Sequence, residues 1–282
     1  MSKKKTFFSQ NHGGVFYKIK ELALSKRQRF LLAVLFLSLG LFFSEHLFGK
    51  FGFFFSVFLA FLSVILFYIS MYKDMKDNMS YQVFVLPFFF TLAFGIFYFL
   101  IPAHFLTRVV WTSLYAIGLY SLLLSENIFI VASIRTIALL SGARLVSFIL
   151  TLISYGLLTK VVFSLEWPLL ISASAKPFMI LAISFLLIWQ SIWTVTLESG
   201  FRKNMLWSLL LSICLLESSI ILGLWPTTST FVAIFLTGFF YTILGVSHVW
   251  FDKRLFRGVI WEYLWVGVLV FFILMYFTAW KG

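Results

Sequence analysis

Cysteine is nearly absent: the 282 residues contain one, Cys214. A lone thiol excludes an internal disulfide framework and any zinc site built on paired cysteines. Charge is scarce as well. Charged residues make up 11 % of the chain and only 10 are acidic, against about 25 % charged in ordinary soluble domains. So few charges do not cover the surface of a soluble fold of this length. A soluble enzyme, a disordered chain and a coiled coil are excluded. Motifs are missing too. The chain has no Gly-rich phosphate loop ending in Lys-Ser/Thr, no His-Glu-x-x-His and no Gly-x-Ser-x-Gly, which removes the common nucleotide, zinc-hydrolase and serine-hydrolase chemistries. The four histidines show no metal-ligand spacing, and neither a metal nor a cofactor is expected.

Bulky apolar side chains fill the chain instead. Hydrophobic residues reach 62 %, with 38 Phe among them. A bilayer core about 30 Å thick takes about 20 apolar residues of helix. Nine stretches meet that length: 30–48, 51–71, 82–101, 105–124, 145–164, 177–196, 205–225, 229–250 and 258–280. The expected fold class is therefore all-α, a polytopic integral membrane helical bundle with nine transmembrane helices. A further apolar stretch, 128–140, is too short to span and carries Arg135. With Ser125 or Asn127 as its cap, it reads as a short re-entrant or interfacial helix over 127–140.

The net charge of +12 would suggest nucleic acid in a soluble protein. Beside membrane spans it has another meaning, because basic loops stay on the cytoplasmic side. With nine spans, seventeen of the 22 basic residues fall on the side of the N-terminus. Making 128–140 a tenth span buries Arg135 in lipid and reverses the balance of the loops. The expectation is a multi-pass protein of the plasma or inner membrane, N-terminus cytoplasmic and C-terminus outside. Residues 1–29 hold eight basic residues, and 14–29 has the apolar spacing of an amphipathic helix. Anionic lipid headgroups, not nucleic acid, are its expected partner. Residues 30–280 form one transmembrane domain. The sequence fixes no oligomeric state.

Four residues stand out as substrate- or ion-binding candidates: Glu217, Arg135, Glu126 and Lys160. Glu217 is the thirteenth residue of the stretch 205–225, near the bilayer midplane. An ionised side chain there costs about 2.5–3.5 kcal/mol on insertion scales. Ser208, Ser212 and Ser219 lie on the opposite helical side, which predicts a helix interior to the bundle. Arg135 is expected to pair with Glu126, Glu262 or a lipid phosphate. Lys160, four residues inside its span end, either reaches the headgroups or neutralises Glu217. A scattered outer group (Glu45, His46, Lys50, His104, Arg108, Glu166 and Lys176 beside Lys160) would suit a phosphate-bearing lipid. His248 and Gln190 lie near inner span ends; His248 reads as a proton relay or an interfacial anchor. Pro87 is expected to kink the third helix.

These features lean toward a carrier or channel for a small solute or lipid. A membrane-embedded enzyme acting on a lipid-linked substrate, or a non-catalytic membrane subunit, are the alternatives.

Overall fold

The computed structural model describes residues 25–48, 51–75, 80–101, 104–133, 138–165, 169–197, 201–253 and 256–278, with backbone alone for 45–48, 73–75, 169–173 and 201–202. Among these residues nine α-helices follow one another, with no strand. They are α1 (Lys26–Phe48), α2 (Gly52–Met75), α3 (Val85–Tyr98), α4 (Phe105–Ala132), α5 (Leu140–Ser164), α6 (Leu169–Thr196), α7 (Phe201–Gly223), α8 (Ser229–Phe251) and α9 (Arg257–Tyr276). All nine coincide with segments long and apolar enough to cross a membrane. The protein is an all-α, multi-pass membrane bundle. Successive helices run up and down, so we call the end where α1 starts the near end and the opposite one the far end.

Polar side chains decide several helix limits. α1 begins four residues before the expected span. Ser25 Oγ accepts from the Gln28 N–H at 3.4 Å, and the Ser25 N–H donates to Gln28 Oε1 at 2.9 Å. This reciprocal capping box satisfies two orphan donors. Residues 26–29, expected to end a tail helix, are therefore the first turn of α1. The remainder of that tail, 1–24, lies outside the described residues.

Among the described residues of 127–140 there is no separate short helix. Residues 127–132 are the last turns of α4, which runs unbroken from Phe105 to Ala132. Ser125, Glu126 and Asn127 do not stop the helix. Ser125 Oγ donates back to the Ser121 carbonyl at 2.9 Å, and Glu126 has a partner on α6. A polar triplet satisfied this way costs a helix little. Arg135 lies outside the described residues.

The prolines also depart from expectation. A 3₁₀ turn (Tyr81–Phe84) leads into α3, so Pro87 is its third residue and not a mid-helix kink. A first-turn proline removes an N–H that had no partner there. Pro177 falls inside α6, because that helix begins at Leu169.

α5 is the central helix, packed against α3, α4, α6 and α8. Its buried face carries Ser147, Thr151, Ser154, Tyr155 and Thr159. α9 is peripheral and docks on α8 through small residues. Gly238, Thr242 and Gly245 meet Val270, Gly267 and Tyr263, and Thr242 Oγ1 donates to the Tyr263 carbonyl at 3.1 Å. Close backbone approach through small residues is how helices associate without a hydrophobic drive. A Cβ at Gly245 would collide with the Tyr263 ring. Gly245→Val is therefore expected to destabilise the docking by about 1–3 kcal/mol, as overpacking does. Earlier proteolysis of α9 in detergent checks it; wild-type resistance would refute it.

Candidate functional site

Glu126 is the most buried ionisable candidate. It has no accessible surface and lies six residues before the end of α4, about 9 Å in from the near end at 1.5 Å per residue. Gln190 sits at the matching depth on α6 and is also fully buried. Gln190 Nε2 donates to Glu126 Oε1 at 2.9 Å. The other oxygen of each group, Glu126 Oε2 and Gln190 Oε1, is buried without a hydrogen bond among the described residues, as is Asn127 Oδ1. Among the described residues the Glu126 and Gln190 acceptors have no donor between them, an arrangement that a protonated carboxyl would satisfy. A hydrogen on Glu126 Oε2 would donate to Gln190 Oε1 and close a two-bond acid–amide ring. Among the described residues no cation is hydrogen-bonded to Glu126.

The polar groups continue toward the near end. Ser191, next to Gln190, hydrogen-bonds His248 of α8 through Oγ···Nε2 at 2.9 Å. The His248 ring packs on Phe148 with centroids 5.3 Å apart. Nearer the helix ends, Arg144 of α5 joins α6 and α8. Its Nε donates to the Thr194 carbonyl at 3.1 Å and its Nη2 to the Val195 carbonyl at 2.7 Å. Its Nη1 lies 3.4 Å from Asp252 Oδ1, where both side chains are partly exposed. The last carbonyls of a helix carry partial negative charge and lack partners, so a guanidinium is well placed there. Both helices it clamps end in left-handed residues, Leu197 (φ 48°) and Lys253 (φ 57°). Arg144–Asp252, His248–Ser191 and Gln190–Glu126 thus form three polar steps from an open surface to a sealed carboxyl.

The other sequence candidates lie elsewhere. Lys160 Nζ donates to Ser229 Oγ at 2.7 Å and Thr230 Oγ1 at 2.8 Å, at the start of α8. It does not meet Glu217. Lys176 instead lies over the Phe163 ring, 5.9 Å from its centroid. Glu217 faces outward from α7, and the serines opposite it are the buried ones. α7 is thus an edge helix, because its polar serine face is turned inward against α6, and the expected interior position does not hold. The side chains of Glu45, His46, Lys50 and Glu166 lie outside the described residues. No group of three or more potential metal ligands converges among the described residues.

Sequence reasoning named Glu126 as a binding candidate and a partner for Arg135, not as a partner of Gln190. It missed the roles of Gln190, Ser191 and Arg144. The available signal was depth: Glu126 and Gln190 each stand about two turns from a near-end helix terminus. Spacing within one helix could not show that α4 and α6 bring them together.

No curated protein and no solved structure matches this chain. The family model described as protein of unknown function (DUF5656) matches residues 39–277, and the chain belongs to that family.

Proposed function

We propose that the protein is a membrane carrier whose transported or coupling species is the proton, with Glu126 as its internal station. The observation that carries this reading is the Glu126–Gln190 pair: a buried carboxyl, hydrogen-bonded through one oxygen and without a partner among the described residues at the other. Ionisable residues inside a membrane bundle most often serve substrate or ion pathways. Arg144–Asp252, His248 and Ser191 supply the approach from the near end. The His248 ring offers one donor and one acceptor nitrogen, and a serine hydroxyl both donates and accepts. The onward path is the buried hydroxyl face of α5, which runs from Ser147 to Thr159 and reaches Lys160.

The near end is the cytoplasmic side in this reading, because the seventeen basic residues gather there. The basic N-terminal tail then lies against anionic headgroups.

Proteoliposomes containing a pH-sensitive dye test the proposal. Under a potential imposed with potassium and valinomycin, wild-type protein is expected to change internal pH faster than protein-free vesicles. Glu126→Gln is expected to return the rate to that of empty vesicles. A wild-type rate equal to that of empty vesicles, or an undiminished Glu126→Gln rate, would overturn the reading.

A further inference from the structure

α7 presents two opposite faces. Asn204, Ser208, Ser212, Leu215, Ser219 and Leu222 are buried against the bundle. Leu206, Leu210, Ile213, Glu217, Ile220 and Leu224 are exposed on the outer surface. Within a wider exposed face that also holds Met205, Trp207, Leu209, Cys214 and Ile221, these six form one row spaced four, three, four, three and four residues apart. That is the a/d pattern of a helix seam with one polar member. Glu217 lies about 6 Å from the centre of the apolar segment Lys203–Gly223, well within a hydrocarbon core about 30 Å thick. It makes no hydrogen bond or ion pair with any described residue. A carboxyl facing acyl chains there has neither water nor protein to bond, so the face is incomplete as it stands.

We infer that the occupant of this face is a second copy of the chain, docked through α7 so that the two Glu217 carboxyls hydrogen-bond each other. Two copies in one membrane share an orientation. A two-fold axis along the membrane normal therefore sets their α7 helices parallel, at equal depth. Glu217 then meets Glu217 of the second copy, and each apolar d residue meets its own equivalent. A protonated carboxyl has one donor and one acceptor oxygen, so two of them close a ring with both donors used. The side chain is self-complementary in the way a two-fold interface requires. A basic residue on an unrelated helix would also satisfy one carboxylate, but only a second copy brings an identical carboxyl to the same depth. The inference is independent of the Glu126 reading.

Cross-linking in lipid tests it. With the natural thiol removed by Cys214→Ser, a single cysteine is introduced by Ile213→Cys, by Ile220→Cys or, on the outer face of α9, by Phe272→Cys. Purified protein in proteoliposomes is then oxidised with copper phenanthroline. The expected result is a disulfide dimer several-fold more abundant for both α7 variants than for Phe272→Cys. Adding Glu217→Gln should preserve the dimer, because a carboxamide is also self-complementary. Adding Glu217→Lys should lower it several-fold, because two ammonium groups have donors and no acceptor. Equal cross-linking at all three sites would overturn the inference. So would a dimer indifferent to Glu217→Lys. Cross-links to a different protein in native membranes, with none between purified chains, would also overturn it and assign the face to that partner.

Discussion

Glu126→Gln is expected to leave the protein as stable as the wild type, or slightly more so, while reducing proton movement by about 100-fold or more, the loss typical of a missing proton-transfer group. The structural half follows from hydrogen-bond accounting. Gln190 Nε2 already donates to position 126 at 2.9 Å. A glutamine there keeps that acceptor and adds an N–H for Gln190 Oε1, which has no hydrogen bond among the described residues. Two amides facing each other form a closed pair with no acceptor left over. The functional half follows from chemistry, since an amide does not release a proton. Glu126→Ala separates the two halves. It strands both polar ends of Gln190 in a dry interior, at about 1–3 kcal/mol per unsatisfied group. Thermal denaturation in detergent should show Ala well below the wild type and Gln at or above it. A Gln variant as unstable as Ala would mean that the carboxyl is ionised and held by something other than Gln190.

Arg144→Ala is expected to be strongly destabilising, by about 3 kcal/mol, from the loss of two hydrogen bonds donated by a charged group. One side chain satisfies the terminal carbonyls of Thr194 and Val195 and reaches Asp252 at the end of α8. Without it, α6 ends in two open carbonyls next to the strained turn at Leu197. Arg144→Lys should recover only part of the loss, because an ammonium cannot fork across two carbonyls and a carboxylate. Asp252→Asn should cost under about 1 kcal/mol, as partly exposed ion pairs do. Melting midpoints of the three variants measure this order. Equal effects of Asp252→Asn and Arg144→Ala would place the stabilisation in the ion pair instead of the helix end.

Length and hydropathy made the nine helices legible, because a bilayer imposes a minimum apolar run on any spanning helix. Local hydrogen bonding obscured their limits. Ser25 with Gln28 started α1 early, and Ser125 bonding back to Ser121 carried α4 through a triplet that looked like a break. Periodicity separated the two faces of α7 correctly but could not say which one turned inward. Serines that bond to carbonyls of their own helix are cheap to bury, as Ser208 is through the Asn204 carbonyl at 2.7 Å. They took the inner face and left Glu217 outside. The site itself was half legible. Glu126, Gln190 and His248 were each visible as polar residues inside apolar helices. Their meeting depends on how α4, α5, α6 and α8 are arranged, which no local pattern encodes.

The central claim is that Glu126 carries a proton that exchanges with the near-end surface. Infrared difference spectroscopy of the protein in lipid addresses it directly, by comparing wild type with Glu126→Gln in H2O and in D2O. The account predicts a carboxylic-acid carbonyl band that is present in the wild type, absent in Glu126→Gln, and shifted on transfer to D2O, with the shift slowed by His248→Phe. An ionised Glu126, giving no such band, or a band that D2O never shifts, would contradict it.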